Sequence, residues 1–145
     1  MIRIRRAEEA DLPEVIRLQH QLGPNEPPMS LDDAAAVFVL MQSYPDNVVY
    51  VAELDGAIVG TFTLLVMDKL GHNGKPAGIV EDVVVDEPQR GTGIGGEMMR
   101  FAMDHCRERG CYKLALSSNA LRTGAHAFYE RLGFKKHGLS FLIDL

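Results

Sequence analysis

Ile2 and Ile4 alternate with Arg3 and Arg5, the period-two pattern of a half-exposed strand. Leu12, Val15, Ile16, Gln19 and Leu22 then recur at helical spacing. Asp11 and Glu14 form a D-x-x-E variant of the capping box, Pro13 fits the first turn, and Gly23-Pro24 ends the helix. Residues 24–29 (PNEPPM) read as an ordered turn or a mobile loop. Ser30 and Asp33 cap a second helix whose apolar stripe is Leu31, Ala34, Ala35, Phe38 and Met41.

From residue 48 to 68 the period changes. Segments 48–54 and 57–67 are rich in Val, Ile, Thr and Phe, and Asp55-Gly56 between them predicts a hairpin. The loop 71–76 (GHNGKP) leads into a strand at 78–86. Residues 93–109 form an amphipathic helix, with Ile94, Met98, Phe101, Ala102 and Cys106 on one side and Gly110 as its C-cap. A strand at 112–116, a helix at 122–132 and two short strands within 134–145, around Gly138, complete the chain.

The predicted order is β-α-α-β-β-β-α-β-α-β-β. The fold class is therefore α/β (or α+β): a mixed, mostly antiparallel twisted sheet flanked by helices. At 145 residues, against roughly 100–200 per domain, the expectation is one domain spanning 1–145.

Composition narrows the partners. Lys plus Arg total 15 against 20 Asp plus Glu, a net charge of -5, so nucleic acid is disfavoured as a ligand. Cys106 and Cys111 are too few for a disulfide framework, and with His105 they match no zinc spacing. They read as packing residues of a reducing compartment, with no metal expected. The opening Met-Ile-Arg-Ile-Arg-Arg lacks a signal-peptide core, and no apolar run approaches the ~20 residues that span a bilayer. A cytoplasmic protein without a membrane partner is expected.

Of the 14 glycines, Gly91, Gly93, Gly95 and Gly96 fall within six positions at a strand-to-helix turn. Glycine lets the main chain approach a ligand, and the N–H groups opening the next helix lack intrahelical acceptors. With the helix dipole these make an anion site suited to phosphate. A tight turn without a ligand is the alternative. Glu97 follows Gly96 where a Walker A loop needs Lys-Ser or Lys-Thr, and G-x-G-x-G-G is not the dinucleotide spacing.

The block IVEDVVVD (79–86), then Arg90-Gly-Thr-Gly-Ile-Gly95, then AFYERLGF (127–134), resembles the GCN5-related N-acetyltransferase (GNAT) superfamily. Arg90-x-x-Gly93-x-Gly95 fits that family's R/Q-x-x-G-x-G/A signature. Gly110-Cys-Tyr-Lys113 is similar to glucosamine-6-phosphate acetyltransferases, and 116–141 to bacterial aminoalkylphosphonate and related small-amine acetyltransferases. The resemblance implies acetyl transfer from acetyl-coenzyme A to the primary amine of a small molecule, by direct attack in a ternary complex, and makes a homodimer plausible.

An alkyl amine has a pKa near 10.4, so on the order of one in 10³ is neutral at pH 7 and a base must take its proton. Glu81 is the leading base, directly or through water, with Asp82 second. On a regular strand Glu81 shares a face with Val83 and Val85; a bulge, which the resemblance implies, would change that parity. Tyr129, at the tyrosine of the family's F-Y-E block, is the acid for the departing thiolate; packing in the stripe Ala125, Phe128, Tyr129 and Leu132 is the alternative. By resemblance, Val83, Val84 and Val85 pair with pantetheine through the amides of Val83 and Val85. Arg90, Gly91, Thr92, Gly93, Ile94, Gly95 and Gly96 hold the pyrophosphate. Asn119 is a candidate for pantetheine or substrate, and His126 for solvent or the cofactor. Arg122 stands where many members carry Asn, which makes Asn119 the candidate for that contact and leaves Arg122 for an anionic substrate, a cofactor phosphate or a surface ion pair. A peptide-amine acetyltransferase and a non-catalytic acyl-CoA sensor are the competing functions. The acceptor pocket is expected around the first two helices, the connection 24–29 and the loop 71–76.

Overall fold

The computed structural model describes all residues, Met1–Leu145, in two compact units, Met1–Ala115 and Leu116–Leu145. The first unit holds the sheet. Its elements are β1 (Ile2–Arg6), α1 (Leu12–His20), α2 (Leu31–Gln42), β2 (Asn47–Leu54), β3 (Ala57–Met67), β4 (Ala77–Val85), α3 (Ile94–Glu108) and β5 (Lys113–Ala115). The five strands run in the order β1-β2-β3-β4-β5, antiparallel except for the parallel β4–β5 pair. The hairpin turns at Asp55-Gly56, where the sequence put it.

Both faces of the sheet are covered. On one, Val49 and Val51 of β2 pack with Ala7, just past β1, and with Val15 of α1, joined by Phe38 and Met41 of α2. On the other, Phe101 of α3 makes edge contacts with Tyr50 and Phe62, at 4.9 and 6.4 Å between ring centroids. Gly78 lets α3 approach, since a Cβ there would lie 2.3 Å from Cys106 Sγ. At the far end of α3, the buried carboxylate of Asp46 accepts from Arg109 and from His105 Nε2 (3.1 Å), tying the last helical turn to the start of β2.

Ser30 caps α2 as expected, its Oγ accepting from the Asp33 N–H at 3.1 Å. The start of α1 differs. Asp11 is not paired with Glu14; its carboxylate turns back to the Glu8 N–H (2.7 Å) and to Arg5 Nη1 (2.7 Å). A strand cation 6 residues upstream outcompetes the local cap. Arg5 also pairs with Glu53 across the β1–β2 ladder at 2.9 Å, so it is not simply a solvated strand position.

The second unit contains α4 (Thr123–Arg131). The two strands expected within 134–145 do not form: no strand pairing includes these residues. Gly138 at φ 104 interrupts the extended run, and Leu139, Phe141, Leu142 and Ile143 stand exposed. Alternating apolar residues suit a strand, but only a ladder partner makes one.

Candidate active site

The centre of the first unit's site is a bulge in β4. Thr61 of β3 pairs with Val84 and Thr63 with Glu81, so Asp82 and Val83 together oppose Phe62. Asp82 takes up the extra residue with φ 53. Cross-strand partners share a face. Thr61 and Thr63 pair in turn with Val51 and Val49, so Glu81 and Val84 both belong to the α1/α2 face. The regular-strand expectation, Glu81 beside Val83 and Val85, is thereby corrected: Val85 pairs with Gly60 and belongs to the α3 face. Glu81 and Asp82 are exposed, Val83 and Val85 half-buried, and Val84 is packed into the core at 3% exposure.

Parallel pairing of β4 with β5 ends at Ile79–Ala115. Beyond it, residues 80–85 have no strand on that side, leaving main-chain groups available to an extended ligand.

Past β4, Gly91 (φ 80) and Gly93 (φ 91) take left-handed conformations that bring the chain into α3, and Gly93 is its N-cap. The N–H groups of Ile94, Gly95 and Gly96 open the helix without intrahelical acceptors. Thr92 turns its hydroxyl inward to the Gln89 carbonyl at 2.5 Å. An open cleft of about 520 Å³ beside the turn is lined by Met1, Ile2, Leu54, Gln89, Thr92 and Glu97, among others. Arg90, expected as a charge for the pyrophosphate, donates to the Val85 carbonyl (3.1 Å) and to Gln21 Oε1 (3.3 Å) while remaining exposed. Arg100, not singled out from sequence, lays its guanidinium beside Gly96 while pairing with Glu97 at 2.9 Å. Its helical i+4 spacing from Gly96 was the available signal.

A second group lies at the β3–β4 connection. The His72 ring stacks on Tyr112 at 3.9 Å, Lys69 donates to the Tyr112 hydroxyl at 3.0 Å, and Lys113 lies 5.5 Å from the ring centroid. The Lys69 hydrogen bond, aided by both lysine charges, draws the Tyr112 phenol below its ordinary pKa. His72 (φ 54) and Asn73 (φ 58) hold strained conformations to make this turn. Loop 71–76 and the Gly110-Cys-Tyr-Lys113 segment were each marked in the sequence, but their meeting was not legible there because they come from two separate segments.

The remaining predicted residues belong to the second unit. Burial pushes the Tyr129 phenol above its ordinary pKa, against an opposing pull from the Arg122 charge. Phe128 and Phe134 flank the ring at 5.0 and 5.7 Å. Asn119 Oδ1 accepts from the Leu121 N–H at 2.9 Å, and its carbonyl oxygen receives His126 Nε2 at 2.7 Å. A carbonyl only accepts, so His126 carries its proton on Nε2. Both residues thus build the turn into α4.

The fold and this β4–turn–α3 arrangement define an acetyltransferase, and the chain belongs to the acetyltransferase (GNAT) family, whose model matches residues 12–134. The glucosamine 6-phosphate N-acetyltransferase of Trypanosoma brucei brucei is 31% identical over 144 residues, 99% of this chain and 96% of that protein. The crystal structure of glucosamine-6-phosphate N-acetyltransferase from Arabidopsis thaliana superposes with a TM-score of 0.87 at 30% identity, covering 99% of this chain and 98% of that one. An aminoalkylphosphonate N-acetyltransferase of Salmonella typhimurium is 34% identical over 87 residues, 60% of this chain and 56% of that protein. No helix is long and apolar enough to cross a membrane.

Proposed function

We propose that this acetyltransferase moves the acetyl group of acetyl-CoA to the primary amine of a small, phosphorylated or phosphonylated molecule, by direct attack in a ternary complex. The observation that carries the reading is the β4 bulge, which directs Glu81 to the α1/α2 face beside a strand edge left open from residue 80 to 85.

The open edge suits pantetheine, with Val83 and Val85 supplying amides. The helix N-terminus at residues 93–96 suits the pyrophosphate, since its free N–H groups and dipole favour an anion. The thioester is the acetyl donor when acetyl-CoA is bound. Glu81, directly or through one water, takes the proton of the ammonium and frees its lone pair; Asp82 is the second candidate. The freed amine attacks the thioester carbonyl carbon and the C–S bond breaks; Tyr129 gives its proton to the departing sulfur, and the second amine proton restores the phenol. A half-buried phenol with a raised pKa is held in the protonated form this needs.

The acceptor class rests on the lysine charges of Lys69 and Lys113 gathered at Tyr112, with the His72 ring stacked on it. Glucosamine 6-phosphate and aminoalkylphosphonates, named for the relatives above, each combine an amine with a phosphorus oxyanion. A homodimer in the cytoplasm is part of the same reading. It is supported by the exposed apolar residues Leu31, Val39 and Leu40 on α2 and Phe141, Leu142 and Ile143 near the C-terminus.

The test is an amine panel, with released coenzyme A detected by a thiol reagent. Glucosamine 6-phosphate and aminomethylphosphonate should be acetylated faster than glucosamine and peptide N-termini. Equal rates for the phosphate-free amines remove the phosphate part of the reading, and acetyl-CoA binding with no acetylation of any amine points to a sensor.

A further inference from the structure

The glycine turn is fastened to α1 by a chain of side chains. Gln21, at the C-cap of α1, donates from Nε2 to Asp86 Oδ1 at 2.9 Å and accepts at Oε1 from Arg90 Nη2 at 3.3 Å. The other oxygen of Asp86 accepts from Arg17 Nη2 at 3.0 Å, and Arg90 Nε donates to the Val85 carbonyl at 3.1 Å. Asp86 itself is anchored to β3, its N–H donating to the Val59 carbonyl at 2.8 Å.

The chemistry of this chain admits one orientation. A carboxylate only accepts and a guanidinium only donates, so the amide of Gln21 must present NH₂ to Asp86 and oxygen to Arg90. A hydrocarbon of the same size does neither, and a carboxylate would face Asp86 with a like charge. The guanidinium of Arg90 is thus held against the protein, bridging the end of β4 and the end of α1.

The same end of α1 carries the connection to α2. His20 Nε2 donates to the Glu26 carbonyl at 3.0 Å, which fixes the start of residues 24–29. One side of Gln21 therefore leads to the phosphate turn and the other to the segment expected to border the acceptor.

We propose that Gln21 is a positioning residue for acetyl-CoA, holding Arg90 and with it the Val85 carbonyl and the entry to the glycine turn. The proposal rests on the reading of residues 90–96 as the pyrophosphate site. Gln21 touches no reacting atom, so its loss weakens cofactor binding and leaves the chemical step in place.

The experiment uses Gln21→Met in the full chain, with coenzyme A binding by calorimetry and steady-state kinetics in acetyl-CoA. The Kd for coenzyme A and the KM for acetyl-CoA should rise about tenfold, the scale of one hydrogen bond to a charged group, with kcat within about threefold. In an Arg90→Met background, adding Gln21→Met should change the Kd by less than about twofold, because the two act as one unit. An unchanged Kd in the single variant, full additivity in the double, or a fall in kcat with Kd unaltered overturns the proposal. Should Gln21→Met fail to fold, Gln21→Asn keeps the amide but withdraws it from both partners, and the same outcomes decide. If the unaltered protein does not bind coenzyme A, the pyrophosphate reading of the turn fails and the role given to Gln21 falls with it; binding by the unaltered protein with an unchanged Kd in Gln21→Met overturns the Gln21 role alone.

Discussion

Glu81 and Val84 lie on the same face of β4 although they are three positions apart, because the left-handed residue Asp82 consumes one position of the strand. Val84 is buried while Glu81 reaches solvent on that face. A regular strand would give them opposite faces.

Glu81→Gln removes the proposed base without changing size. Turnover should fall about a hundredfold or more at neutral pH, while coenzyme A affinity stays unchanged. Stopped-time thiol assays, beside calorimetry, check both. Asp82→Val, by contrast, should act on the backbone: a β-branched residue at φ 53 costs about 1–2 kcal/mol, read as a shift in urea midpoint.

Tyr129→Phe should lower kcat about a hundredfold and leave coenzyme A binding nearly intact, the mark of a group acting on the departing sulfur. The direction of the pH effect follows from burial. The acid works when protonated, and its pKa is raised, so the unaltered enzyme should keep this function up to and beyond about pH 10, the ordinary phenol value. A rate falling through pH 8 to 9 for loss of an acid would assign that proton to another group.

Gly78→Ala places a methyl group into the space of Cys106 Sγ, 2.3 Å away, on both sides of a packed sheet–helix contact. Destabilisation of about 1–3 kcal/mol is expected from overpacking. Adding Cys106→Ala removes the sulfur and should recover a large part of it. Urea unfolding of the single and double variants measures the coupling.

The pair of Arg5 and Asp11 makes stability depend on pH. Chiefly through the Arg5 hydrogen bond, the Asp11 carboxyl is held below its ordinary pKa. Its contribution is therefore complete above the unfolded value of about 4 and is lost as pH falls through the lower folded value. Arg5→Met should cost about 2 kcal/mol at pH 7, with both side chains largely buried, and the difference from the unaltered protein should shrink below about pH 4. A penalty independent of pH would mean that Arg5 acts by packing its stem.

Much of the first unit was legible in the chain. The Asp55-Gly56 hairpin, the Ser30 cap and the helix after Gly93 each depend on residues a few positions apart, and each formed where local pattern placed it. Failures occurred where a distant partner decided the outcome. Asp11 chose Arg5 over its own helix, and the terminal apolar residues found no ladder. The contact of Lys69 with Tyr112 was hidden for the same reason, since the two meet from 43 positions apart.

The sequence by itself determined the strand and helix periods, the glycine turn, and the motif blocks that mark an acetyltransferase, because these are short-range properties of backbone conformation and side-chain spacing. Tertiary structure alone decided which face Glu81 takes, since strand parity depends on a bulge that exists only against β3. It also decided what Arg90 does. A guanidinium has five donors and no preference of its own, so its role is set by whichever acceptors the fold brings within reach, and here they are Gln21 and Val85.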